Sequence, residues 1–388
     1  MDADDCDPTL LQVGIKVFCV TLPSYTYKVI HTEVVPVRSL DGKTVFGSGQ
    51  LERLRTTVKQ VGASFVFTSL DILKKSQIGE MEEAFGCKVL DRYSTVLHIF
   101  RHRARTTEAR LQVALAEIPY IRYRAPGPHE KALVEVREKK LRLALSRLSG
   151  QRELLRKNRN KSGIPTVAVV GYTNAGKTTL IHSLTGDSRA EGRDQLFATL
   201  DVTVHGGPLP CGLSVVFVDT VGFIQDIPTN LVASFKATLE DAILADVVIH
   251  VCDVSHPAHE NQATTVAKTL ASLPLLPETP VITIANKVDR LDHNTQQLLG
   301  DVLAVSATTG QGLQTLLELV ESEVLRVTGR KTYKFQLPTG SDEIRWLRGF
   351  VGLAKEEVDA SNPQVTHITT VLTKQQLAQF GNYCRLRE

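Results

Sequence analysis

The stretch Gly171-Tyr172-Thr173-Asn174-Ala175-Gly176-Lys177-Thr178 constrains this chain more than any other, because a loop with that spacing works only between a buried strand and the start of a helix. Its glycines let backbone amides close on a phosphate, Lys177 can reach terminal phosphates, and the Thr178 hydroxyl is a candidate Mg²⁺ ligand. The flanks agree. Thr166-Val167-Ala168-Val169-Val170 is a short β-branched apolar run, and Thr178-Thr179-Leu180-Ile181 opens a helical pattern. By itself the stretch implies only a phosphate-bearing ligand.

Four later segments, in fixed order, narrow the ligand. Phe197-Ala198-Thr199-Leu200-Asp201 supplies Thr199, a second hydroxyl for Mg²⁺ and a sensor of the third phosphate. Asp219-Thr220-Val221-Gly222 supplies Asp219, expected in the outer shell behind the metal. Asn286-Lys287-Val288-Asp289 selects the base: a carboxylate such as Asp289 accepts two hydrogen bonds from the guanine edge, where adenine has no matching donors. Ser306-Ala307-Thr308 completes the set, with Lys177, Thr199 and Gly222 as the expected catalytic positions. These segments sit at the carboxyl ends of apolar runs, among them 215–218, 247–251, 281–284 and 302–305, which read as parallel strands buried on both faces. The expected fold is α/β: a P-loop domain with a parallel-rich sheet flanked by helices, binding and hydrolysing GTP.

With 388 residues the chain has room for two to four domains. No apolar run approaches membrane-spanning length, so no membrane partner is expected. Cys6, Cys19, Cys87, Cys211, Cys252 and Cys384 show no CxxC spacing, which points to a reducing interior and away from a cysteine metal site. The start, Met1-Asp2-Ala3-Asp4-Asp5, is acidic and unlike an Arg-rich transit peptide. A cytosolic mature form, or a presequence absent from this chain, would account for it.

Residues 101–161 carry 17 Lys and Arg against 6 Asp and Glu, a net of +11 in a chain whose total is +3. Thr106 to Ile121 and His129 to Lys161 have helical apolar spacing, punctuated by Pro126-Gly127-Pro128, so a basic helical hairpin is expected. A solvated helix face usually mixes signs, and this one does not. Arg137, Lys139, Lys140, Arg142, Arg152, Arg156, Lys157 and Arg159 are the candidate contacts to nucleic-acid phosphates. Around the arm, residues 1–100 read as a small α/β domain, with strands at 15–22, 64–68 and 88–91 and helices at 49–61 and 78–86. Residues 162–329 read as the GTPase domain, and 330–388 as an α+β appendage with strands at 333–337 and 366–372 and helices at 342–351 and 374–383.

Ala104 to Tyr120, Ser162 to Leu180, Asp194 to Thr203 and Phe217 to Pro228, with Phe46 to Leu54, resemble the HflX family of ribosome-associated GTPases, and within it the organellar group typified by the animal GTP-binding protein 6. The resemblance implies binding to the large ribosomal subunit, with ribosome splitting, recycling or assembly as the output, in the mitochondrion or alternatively the cytoplasm, by a monomer. Many switch GTPases carry a water-orienting glutamine where this chain has Phe223, so slow hydrolysis completed by the ribosome is expected; an assembly factor that holds GTP as a structural ligand is the alternative. Asn174 is either a ligand for a K⁺ ion beside the phosphates or a turn-capping residue. The tip of the hairpin, residues 123–130, is shorter than the glycine-rich family pattern.

Overall fold

The computed structural model describes residues 13–21, 28–37, 45–125, 127–187, 203–223, 244–271, 279–292, 300, 302–350, 355–359 and 362–385. Its contacts gather into two units, one within 1–102 and 110–144, the other within 103–109, 145–227 and 232–388.

In the first unit, β1 (Val13–Thr21), β2 (Lys28–Val37), β3 (Phe65–Thr68) and β4 (Lys88–Leu90) form a sheet in the order β2-β1-β3-β4, antiparallel except for the β3–β4 pair. Helices α1 (Ser48–Gln60) and α2 (Lys75–Phe85) bury Leu54, Val58, Met81 and Phe85 against Val35, Val66 and Val89. Gly86 ends α2 in a left-handed conformation, the usual C-terminal glycine stop. Strand β2 and helix α3 (Arg92–Arg103) were not anticipated. Asp91, fully buried, fixes the start of α3 by accepting from the backbone N–H of Ser94 at 2.7 Å and of Leu73 at 3.0 Å.

The basic segment is helical as expected, in α4 (Thr107–Arg124) and α5 (Pro128–Ser162). Within the first unit, the Tyr93 hydroxyl donates to the Ala116 carbonyl at 2.5 Å, and its ring stacks on Tyr120 with centroids 5.4 Å apart. The arm is not uniformly cationic. Glu117, nearly buried, pairs with Arg101 and lies 3.9 Å from Arg137, while Glu138 pairs with Arg122 and accepts from Arg142 at 2.7 Å. Two of the eight candidate RNA contacts, Arg137 and Arg142, are thus engaged within the protein. Lys139 and Lys140 are exposed, and the side chains of Arg152, Arg156, Lys157 and Arg159 lie outside the described set.

The second unit carries a six-stranded sheet in the order β10-β9-β8-β5-β7-β6. β5 (Thr166–Gly171), β7 (Ser214–Asp219), β8 (Val247–Asp253), β9 (Val281–Asn286) and β10 (Leu303–Val305) are parallel. The antiparallel edge, β6 (Thr203–Pro208), was missed because its His-Gly-Gly-Pro sequence has little strand character. Val167, Val169, Ile249, Val251 and Ile284 face α6 (Lys177–Thr185) and α8 (Leu313–Thr328). Ala168, Val170 and Val248 face α7 (His259–Ala271). Burial on both faces is why these strands read as unbroken apolar runs.

The same unit ends in an antiparallel sheet of β11 (Lys331–Pro338), β13 (Val365–Leu372) and β12 (Lys355–Val358), in the order β11-β13-β12, with α9 (Asp342–Phe350) and α10 (Lys374–Arg385) packed through Ile344, Leu347, Ile368 and Phe380. Trp346 joins that cluster, 5.6 Å from the Phe380 ring. Strand β12 was not anticipated. Among the described residues, no helix is long and apolar enough to cross a membrane.

Candidate nucleotide site

The turn from β5 into α6 holds the sequence-selected loop, and its shape follows from two left-handed residues, Asn174 (φ 63°) and Gly176 (φ 94°). A Cβ on Gly176 would stand 2.4 Å from Asn286 Nδ2, and one on Gly171 would stand 2.5 Å from the Val251 carbonyl oxygen. The glycines are required by close approach of other elements as well as by φ. Lys177, almost fully buried, turns its ammonium back over the loop, 3.0 Å from the Tyr172 carbonyl and 3.4 Å from that of Gly171. Burial pulls its pKa down to about 8, with Asp219 acting in the opposite sense. A desolvated ammonium of this kind gains from an anionic ligand.

At the end of β7, fully buried Asp219 accepts from the Thr178 hydroxyl at 2.6 Å. A hydroxyl and a carboxylate side by side are hard oxygen donors of the kind Mg²⁺ takes, so the residues present fit the expected metal. Thr220 donates to the Val169 carbonyl at 2.7 Å. Gly222 packs so tightly that a Cβ would lie 2.7 Å from Thr173 Cα and 3.0 Å from Lys177 Nζ. Phe223 then pairs with the cradle: the Thr173 N–H donates to its carbonyl at 2.7 Å, and its own N–H donates to Gly171 O at 3.0 Å. Its ring is buried with Val170, Val248, Val266 and Leu270, inside the core.

The base-reading segment is tied to the cradle by side chains rather than by sequence. Asn286 Nδ2 donates to Ala175 O at 2.8 Å, and its Oδ1 accepts from the Ala307 N–H at 3.2 Å. Lys287, itself left-handed at φ 66°, donates to Asn174 O at 2.8 Å and pairs with Asp253 at 2.7 Å. Ser306 donates to Asp289 Oδ1 at 2.6 Å, orienting the exposed carboxylate. Val288, fully buried, anchors this turn.

Together these elements line a cleft of about 200 Å³ formed by Asn174, Gly176, Lys177, Thr178, Thr179, Asn286, Lys287, Arg290, Ala307 and Thr308. The first, third, fourth and fifth segments are all described in this unit; Phe197 to Asp201, with Thr199, lie outside the described residues. Sequence reading missed Arg290 in the lining, Asp253 as the partner of Lys287, and Ser255, which donates to Asp253 through both its N–H and its hydroxyl. The Asp253-Val254-Ser255 spacing at the end of an apolar run was the available signal.

A family profile described as a 50S ribosome-binding GTPase matches residues 166–287, and one described as a GTP-binding GTPase N-terminal region matches residues 22–101. GTPase HflX of Caldanaerobacter subterraneus is 36% identical over 359 residues, covering 86% of this chain and 82% of its own length. This chain belongs to the HflX family. It is a GTP-binding protein and a GTPase. The GTP-binding protein 6 of Xenopus laevis is 40% identical over 357 residues; the alignment covers 84% of this chain and 66% of the frog protein, so the chain spans about two thirds of that relative's length. Among solved structures, a GTP-binding protein from Sulfolobus solfataricus in complex with GDP is 23% identical, covering 75% of this HflX-family chain and 89% of its own, with a TM-score of 0.42.

Proposed function

We propose that this HflX-family chain holds GTP and Mg²⁺ in the cleft at the carboxyl ends of the β5, β7, β9 and β10 strands and acts on the large ribosomal subunit, in ribosome splitting, recycling or assembly. The observation that carries the reading is the convergence of Lys177, the Thr178–Asp219 pair and the Asn286–Asp289 segment on one cleft. In this reading the backbone of residues 171–178 and the Lys177 ammonium hold the phosphates, Thr178 and Thr199 ligate the metal, and Asp219 orients it from behind. Bound Mg²⁺ would neutralise charge developing on the transferred phosphate. Asp289, oriented by Ser306, reads the guanine edge, with Asn286, Lys287 and the Ala307 N–H around it.

Phe223 cannot orient a water, because its ring is in the core and its backbone is committed to the cradle. Hydrolysis by the chain alone is therefore slow, and a partner completes it. The described family profile and the basic arm both favour the ribosome as that partner, with Lys139 and Lys140, rather than the internally paired Arg137 and Arg142, as the first phosphate contacts. The proposed compartment is the mitochondrion, from the resemblance to the organellar group. The φ of 63° at Asn174 supports the turn role, since asparagine tolerates a left-handed backbone. K⁺ coordination through its side chain is the competing proposal.

The test is GTP hydrolysis by the purified chain, with and without isolated large ribosomal subunits, in potassium and then sodium buffer. Strong stimulation by subunits is expected. Binding to subunits without stimulation would sink the ribosome-activated reading, and equal rates in the two salts would remove K⁺.

A further inference from the structure

Among the described residues, Asn174 at φ 63° and Lys287 at φ 66° are the non-glycine residues in the left-handed region, and they are joined to each other: the Lys287 ammonium donates to the Asn174 backbone carbonyl at 2.8 Å. A left-handed lysine carries backbone strain and persists only where its surroundings over-determine it. The second grip on Lys287 is Asp253, whose Oδ2 lies 2.7 Å from the ammonium, in a pair whose side chains are only 13% and 12% exposed. Asp253 is held in turn. Its Oδ1 accepts from the Ser255 N–H at 3.1 Å and from the Ser255 hydroxyl at 2.6 Å. It stands opposite Asn286 in the parallel β8–β9 register, and the next N–H, that of Val254, donates to the Asn286 carbonyl at 3.2 Å. Asn174 and Lys287 both line the cleft, one from the phosphate cradle and the other from the base-reading turn.

We propose that Asp253 is a positioning residue for guanine-nucleotide retention: acting through Lys287, it holds the base-reading turn against the phosphate cradle and so sets the rate at which GDP leaves. This rests on the reading of residues 286–289 as the base side of the cleft. A shielded ion pair is otherwise an ordinary packing solution. Here the pair aims its lysine at a cradle carbonyl 113 residues away in sequence, so it braces the two walls that a bound nucleotide spans. Without the carboxylate, the ammonium keeps one carbonyl partner and a shielded charge with no counter-ion, which favours its release to water. Dissociation, rather than encounter, is the step that such a brace controls.

Association and dissociation rates of a fluorescent GDP analogue, with the thermal midpoint, would be measured on the full chain for Asp253→Asn, Asp253→Glu, Lys287→Met and the double variant Asp253→Asn/Lys287→Met. Asparagine keeps the shape and loses the charge; glutamate keeps the charge on a longer arm. The expected result is that Asp253→Asn speeds GDP dissociation about tenfold, leaves association within about twofold, and is partly rescued by Asp253→Glu. In the Lys287→Met background the same substitution should change dissociation by less than about twofold, because the residue it acts through is gone. An Asp253→Asn dissociation rate within about twofold of the parent's, alongside an impaired Lys287→Met, would overturn the proposal and leave the base-side reading intact, whatever the thermal midpoint does. Equal acceleration with and without Lys287 would show that Asp253 acts by packing alone and would also overturn it. Parental GDP kinetics in Lys287→Met would overturn both.

Discussion

The nucleotide cleft and the basic arm spend their polar side chains in opposite ways. In the cleft, Lys177, Asp219, Asn286 and Ser306 are buried; Lys177 and Asn286 donate to loop carbonyls, Asp219 accepts from the Thr178 hydroxyl, and Ser306 donates to Asp289. On the arm, Lys139 and Lys140 are solvated, and the engaged arginines, themselves largely exposed, pair with the nearly buried Glu117 and with Glu138. Removing a buried polar partner leaves another group desolvated, which costs about 1–3 kcal/mol, whereas an exposed ion pair is worth about 0–1 kcal/mol. The cleft is thus specified position by position, and the arm by its summed charge. Chemistry that discriminates among ligands belongs in the first region, and the sequence-tolerant attraction to a polyanion proposed above belongs in the second.

Gly176→Ala is the harshest way to test that contrast. The new methyl must meet Asn286 Nδ2 at 2.4 Å from a backbone at φ 94°, so guanine-nucleotide affinity should fall by roughly a hundredfold or more, as read by fluorescent-GDP titration. Retained affinity would mean that the cradle and the base-reading turn are not mutually braced. Asp289→Asn should lower GTP affinity by about a hundredfold while improving xanthosine triphosphate, and competition binding would show it; unchanged selectivity would remove Asp289 from base reading.

The arm should respond more weakly and less selectively. Replacing Lys139 and Lys140 together by glutamate is expected to weaken RNA binding about tenfold and to flatten its log-salt slope by roughly one per lysine, with GDP affinity unchanged. A loss confined to one RNA sequence would break the summed-charge description, because phosphate contacts carry no sequence information.

The smallest expected effect is a pH dependence. The Lys177 pKa is lowered to about 8, so the free protein loses this ammonium as pH rises through 8, and with it attraction for phosphate. GDP affinity should fall by several-fold between pH 7 and pH 9, with proton uptake on binding near pH 8 detectable by calorimetry in buffers of different ionisation heat. Folding stability runs the other way: between the folded value near 8 and the unfolded value of 10.5 the unfolded chain binds more protons, so the cost of burying the ammonium is relieved as pH rises. Lys177→Met should abolish both trends.

The parallel strands and the cradle were legible because their signals are local. Val167 to Val170 are consecutive and buried on both faces, and a loop that must bend at Asn174 and Gly176 advertises itself by those residue types. Strand β2 was not legible, because a ten-residue β-branched run after a short connection is outweighed by the turn residues around it, and α3 was hidden by a charged, weakly amphipathic sequence. The Asp253–Lys287 and Lys287–Asn174 contacts were also invisible, since they join positions 34 and 113 residues apart. Phe223 shows the division within one residue: its identity announced that no side-chain amide would orient a water, but only folding put its ring into the core and its backbone against Gly171 and Thr173.

Residue types and their short spacing were enough for the fold class, the ligand class and the helical nature of the basic arm, because phosphate cradles, buried strands and amphipathic helices each follow from the geometry of a few consecutive residues. Which polar groups are braced, which arginines are already paired and where Phe223 points depended on long-range packing. Burial and hydrogen-bond partners are properties of segments brought together from distant parts of the chain, and no local pattern encodes them.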